Sequence, residues 1–194
     1  MMKRNDIERI ANDVLNRYNI TSAPFEYISE ICKGENIHLK KANFSSCVDG
    51  IFSVVQNQKY IFYNPQAIDG RQNFTKAHEL GHYFLNHQLE EGNVISCQIN
   101  SVSEKNSQPL PRIETEANYF ATYFLMPEQL MLKEFEIITD IFKIDTSRPL
   151  YIDHQASNYK NWRFISRHFV QRFGVSKEAL GYRLEALNKI YYKL

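Results

Sequence analysis

The stretch "TKAHELGHYFLNH", residues 75–87, sets His78 and His82 four positions apart, with Glu79 beside the first and Gly81 between them. On an α-helix, residues four apart lie on one face about one turn from each other, so the two imidazoles can address a single ion. Glu79 is rotated from His78 by about 100°, which lets it reach a water on that ion without being a ligand. That is the geometric content of the H-E-x-x-H pattern. A chain of 194 residues with six His and fifteen Glu shows the three fixed residues by accident about once in a hundred cases, so the surroundings must support the reading. Tyr83, Phe84 and Leu85 follow directly, which marks the helix as substantially buried. Buried histidines need partners, and two on one face suggest a shared one.

Catalytic zinc takes three protein ligands and leaves a fourth position for water, so a third ligand has to come from another segment. Residues 112–127, "RIETEANYFATYFLMP", offer Glu114 and Glu116 at the start of a strongly apolar helix. At helical spacing Glu114 shares a face with Ala117, Asn118, Ala121 and Leu125, whose small members permit close approach of another helix. Glu116 lies with Tyr119, Phe120 and Tyr123. Glu114 is the favoured third ligand and Glu116 the alternative; either is also suited to the positive end of the helix dipole. Asn118, one turn beyond Glu114, is placed to orient His78 or His82 through the outer ring nitrogen. His87, five positions past His82, falls about 140° round the helix and is read as a surface or capping residue. His38, His154 and His168 lack comparable context and are read as structural or surface residues.

Outward from the motif, residues 5–18 place Ile7, Ile10, Ala11, Val14, Leu15 and Tyr18 on one helical face, an amphipathic helix that packs. A second short helix runs from about 24 to Gly34, where a left-handed cap is expected. "NIHLKKANF", "GIFSVV" and "KYIFYN" have the texture of a small antiparallel sheet of about three strands. The last of them is a candidate edge on which an extended peptide adds as a further strand. The motif helix is expected over about 71–88. Residues 89–111, polar with a Gly and two Pro, read as a long loop or partial strand crossing over that helix. Pro127 separates two further helices, 143–160 is irregular, and helices at about 159–173 and 177–190 close the chain. The expected fold is α+β: a sheet packed on a helical zincin-like core, 1–142, with a C-terminal helical extension, 143–194, resembling a helix-turn-helix.

Composition narrows the class. The chain is 43% hydrophobic, enough for one substantial core. It is charged from Lys3 onward and has no apolar run near the ~20 residues a bilayer span needs, so a soluble cytoplasmic protein without membrane partners is expected. Cys32, Cys47 and Cys97 are scattered and odd in number, which suits a reducing compartment and buried thiols. The net charge of +1 conceals an asymmetry: residues 1–142 carry 13 Lys/Arg against 18 Asp/Glu, and residues 143–194 carry 10 against 4. The basic end is compatible with nucleic acid or with a solvated helical surface.

Taken together, "FTKAHELGHYFLNH" and "IETEANYFATYFLMP", with "YIFYNP" upstream and "RFGVSKEALGYRLEALN" near the end, resemble the ImmA/IrrE family of bacterial and phage zinc metallopeptidases over most of the chain. The resemblance implies a gluzincin-like site in which the first glutamate of the second motif, Glu114, is the third zinc ligand. It also implies a cytoplasmic enzyme that cleaves a helix-turn-helix repressor of a mobile element or stress regulon. The 89–111 and 143–160 segments depart from the family pattern and bear on substrate identity.

The function expected is therefore that of a zinc-dependent endopeptidase, with His78, His82 and Glu114 holding Zn²⁺ and Glu79 as general base. Tyr83, Tyr123 and His154 are candidate oxyanion stabilisers. The alternative is a DNA-binding transcriptional regulator that uses the C-terminal helix pair, with Arg163, Arg167, Arg172, Lys177 and Arg183 nearby; DNA binding is not the favoured reading.

Overall fold

In the computed structural model, residues 2–44, 48–87 and 111–193 are described, together with the backbone of 95–97. The chain runs α1 (Arg4–Arg17), a 3-10 turn (Pro24–Tyr27), α2 (Ile28–Gly34), β1 (Ile37–Lys41), β2 (Gly50–Val55), β3 (Gln58–Tyr63), α3 (Asp69–Phe84), β4 (Ile95–Cys97), α4 (Arg112–Leu125), α5 (Glu128–Ile141), β5 (Leu150–Ile152), α6 (Ala156–Phe173), α7 (Lys177–Ala186) and β6 (Ile190–Tyr192). The expected α+β class is what the chain adopts. Of the segment expected to be a loop or strand at 89–111, β4 and Pro111 are described and the remainder lies outside the described residues, as does Cys47.

The sheet differs from expectation in pairing. Its order is β1-β3-β2-β4, with β1 parallel to β3 from Ile37↔Lys59 to Lys41↔Tyr63 and β2 antiparallel to both β3 and β4. It is therefore mixed, and β3 is interior: "KYIFYN" is not an edge, because β1 occupies the side left open by the β2–β3 hairpin. That hairpin turns at Gln56 and Asn57, both at positive φ, the backbone a two-residue turn of matching twist requires. Phe52, Ile61 and Tyr63 point from the sheet into the helices, where α3 packs on α4 and α4 on α1. Two buried apolar side chains of α1, Ile7 and Val14, meet Phe120 and Phe124 of α4 in a common core. Gly34 stays helical, and Asn36 (φ 55°) takes the left-handed turn instead.

The C-terminal helices join the same core through Trp162, Ile165, Phe169, Phe173, Leu180 and Leu184. A short parallel pair, β5 with β6, bridges the segment before α6 to the chain after α7. Arg183 is buried; its Nε donates to the Met126 carbonyl at 3.0 Å and its Nη2 to Glu8 Oε1 at 3.0 Å. Arg172 Nε donates to Glu134 Oε1 at 3.2 Å. These two arginines, considered above as DNA contacts, are committed within the fold, which leaves Arg163, Arg167 and Lys177 exposed on the pair. No helix among the described residues is long and apolar enough to cross a membrane.

Candidate metal centre

Two anchors set the motif helix under the sheet. Asp49, just before β2, takes both Nε and Nη2 of Arg71 at 2.8 and 2.6 Å, a bidentate pairing that fixes the start of α3. Gly50 then lies against Thr75 and Glu79: a Cβ there would overlap the Thr75 methyl and sit 3.0 Å from Glu79 Oε1. On the opposite side of α3, a Cβ on Gly81 would be 3.2 Å from both Cα and O of Ala117 and from Cβ of Phe120. The glycine and the small face of α4 allow the two helices to close on each other.

That closeness brings the two motifs together. His78 Nε2 and His82 Nε2 are 3.0 Å apart, Glu114 Oε2 is 3.2 Å from His78 Nε2, and Glu114 Oε1 is 3.4 Å from His82 Nε2. These three residues form a group able to hold a metal ion. Both histidines are fully buried and the Glu114 side chain is 15% exposed, so the group opens to solvent on the glutamate side. Burial, then the neighbouring His78 and His87, push His82 down to about 2, and its ring is neutral. Asn118 Oδ1 lies 2.9 Å from His78 Nδ1. A carbonyl oxygen there accepts, so Nδ1 carries the proton and the lone pair of Nε2 faces the group.

Glu79 is completely buried, and neither carboxylate oxygen has a hydrogen-bond partner among the described residues. Burial, reinforced by the charge of Glu114, raises it well above the usual carboxylate range; the Phe52 backbone opposes this weakly without forming a full hydrogen bond. A buried, raised carboxylate beside a cluster of ligating atoms is the environment of a group that takes and returns protons.

Other candidates are placed elsewhere. Tyr83 directs its hydroxyl to Glu35 Oε2 at 2.9 Å, and Tyr123 stacks on Tyr119 beneath the Arg183 guanidinium. His154 is exposed, His38 stacks on Tyr60 and His168 bonds Glu134 at 2.9 Å. Cys32 is buried and burial pushes its thiol up to about 12, which leaves it inert.

His87 departs from its sequence reading. It is not a surface residue, and the metal group does not include it. Its Nδ1 lies 2.9 Å from His82 Nδ1, and its Nε2 lies 3.2 Å from Glu116 Oε2. The reason is that α3 ends at Phe84. Asn86 turns left-handed (φ 53°), with Asn86 N donating to the Tyr83 carbonyl and His87 N to the His82 carbonyl. This is a Schellman termination, and it folds His87 back over the last turn, whereas the 140° estimate assumed an unbroken helix. Glu116 is the far anchor of the same chain. Burial would raise it, but Arg112, the Met2 amide and His87 outweigh that and hold it at about 2. Asn86, a residue type tolerant of left-handed backbone, was the available signal.

A family profile described as the IrrE N-terminal-like domain, a peptidase family, matches residues 32–185. The match spans well over half of the chain and contains both motifs. The chain belongs to this peptidase family. No curated protein matches it significantly.

Proposed function

We propose that the protein is a zinc-dependent endopeptidase in which His78, His82 and Glu114 hold the metal, Glu79 is the general base and Asn118 orients His78. The observation that carries this reading is the convergence of three ligating atoms beside an orphaned buried carboxylate. Ligands bonded at ~2.0–2.1 Å around a tetrahedral zinc are spaced about 3.3 Å apart, and the separations of 3.0, 3.2 and 3.4 Å suit that spacing. Two imidazoles and one carboxylate are also a donor set that catalytic zinc uses.

A zinc ion held there supplies Lewis acidity, polarising a carbonyl oxygen and acidifying water. The protein's own part is then proton handling. A Glu79 carboxylate oxygen accepts the proton of the attacking water and returns it to the leaving nitrogen. His78 and His82, locked by their outer nitrogens, keep their lone pairs aimed inward. The burial of Glu79 under Gly50 and β2 strengthens each of these interactions.

The substrate we propose is a protein, a helix-turn-helix repressor of a mobile element or stress regulon, cleaved in the cytoplasm; this part rests on the family resemblance. Residues 1–142 are proposed as the metallopeptidase unit, with 143–194 as an extension packed on it. The test is cleavage of a neighbouring repressor by the zinc-loaded protein, followed by gel and mass spectrometry. Glu79→Gln should retain zinc and cut at least about a hundredfold more slowly. Cleavage by Glu79→Gln at the unaltered rate would sink the assignment.

A further inference from the structure

Among the described residues His82 is braced not by a carbonyl, as Asn118 braces His78, but by a second imidazole: its outer nitrogen meets His87, and His87 meets Glu116. We infer that His87 and Glu116 are positioning residues that fix the tautomer and orientation of His82, so that its lone pair faces the metal group. This rests on the proposed ligand role of His82.

The direction of every proton in the chain follows from its far end. Glu116 Oε1 takes two donors, Arg112 Nε at 2.8 Å and the Met2 backbone N–H at 2.6 Å, so the group there is an acceptor. Glu116 Oε2 accepts as well, and His87 Nε2 at 3.2 Å therefore carries a proton. A neutral imidazole has one N–H, which leaves His87 Nδ1 as an acceptor. His82 Nδ1, 2.9 Å away, must then be the donor, and the remaining lone pair of His82 sits on Nε2, toward His78 and Glu114. The imidazole cannot rotate out of this arrangement without burying an unpaired N–H. The two histidines are thus braced differently, His78 by a neutral amide and His82 by an imidazole backed by a carboxylate. Partners of this kind raise ligand basicity, and their loss costs metal affinity.

Zinc affinity, measured by competition with a chromophoric chelator, tests the inference without any substrate. His87→Phe keeps an aromatic ring but offers His82 no acceptor, and should weaken zinc binding about 10–100-fold. His87→Asn places an amide oxygen where Nδ1 stood and should recover most of that loss. Glu116→Gln is isosteric, yet its amide N–H₂ facing His87 reverses the proton order and should cost about tenfold or more. Metal-free unfolding midpoints of His87→Phe and His87→Asn should stay close together, whereas Glu116→Gln, which removes a carboxylate held well below its ordinary range, should unfold somewhat more easily. Its zinc affinity is read at a temperature where it is folded, and if His87→Phe does not fold, Glu116→Gln decides alone. Equal affinities for His87→Phe and His87→Asn, or an unchanged Glu116→Gln, would overturn the inference. His82→Ala separates the two levels: if it binds zinc as tightly as the unaltered chain, the ligand reading itself has failed, whereas its loss beside an unaffected His87→Phe removes only the brace.

Discussion

Glu35 shows at residue scale how a half-buried carboxylate is held ionised, in contrast with Glu79. Burial alone would raise it, but hydrogen bonds from Tyr83, Tyr18 and Arg17 prevail and keep it below its ordinary 4.5. A depressed group stabilises the fold above its unfolded pKa, and that contribution fades as the pH falls through the folded value. Glu35→Gln should therefore lower the unfolding midpoint at pH 7 and have progressively less effect as the pH drops below about 4; an equal deficit at all pH values would show that charge is not involved. That His78, Glu79 and His82 lie on one helix, with the two histidines on one face, was legible from the sequence because their spacing is a property of any α-helix. His87 was not, because its place depends on where the helix stops, a matter of the Asn86 backbone rather than periodicity. Glu114 and Glu116, two positions apart, separated as the face argument expected: one faces His78 and His82, the other faces Arg112 and His87.

At the scale of elements, the α3–α4 contact brings His78, His82 and Glu114 together, and Gly81 against Ala117 sets that contact. Replacing Gly81 by Ala gains up to about 1 kcal/mol of helix propensity, which offsets part of the crowding at 3.2 Å. Gly81→Val has no such margin. It should destabilise the fold by about 1–3 kcal/mol and weaken zinc binding, since α4 must withdraw with Glu114; denaturant titration and chelator competition measure the two effects. Stability lost with zinc affinity intact would mean that the helices reseat without disturbing the site. Helices were readable from their apolar faces, and the strands from β-branched and aromatic runs. Strand pairing was not readable: whether β1 lies parallel or antiparallel to β3 depends on β2 pairing on the far side of β3, a long-range choice that strand periodicity does not record, and three-residue strands such as β5 and β6 carry too few positions to show a period.

For the whole molecule, Arg183 ties the last helix to the first and to the end of α4 through Glu8 and Met126. Breaking a buried ion pair costs about 3–5 kcal/mol, and Glu8 is 26% exposed, so Arg183→Met should cost about 2 kcal/mol in chemical denaturation. A cost near zero would show that the C-terminal helices are held by their apolar face alone. The metal should act on the whole fold too: a ligand at a thousand times its Kd stabilises by about 4 kcal/mol. A chelator should therefore lower the melting temperature of the unaltered protein and leave that of Glu114→Ala unchanged. The most direct measurement is the zinc content per chain of the purified protein and of two variants, by mass spectrometry of the metal. We predict about one zinc in the unaltered chain and in Glu79→Gln, and almost none in Glu114→Ala. An unaltered chain that takes up no zinc, or a Glu114→Ala chain that keeps it, would contradict the account.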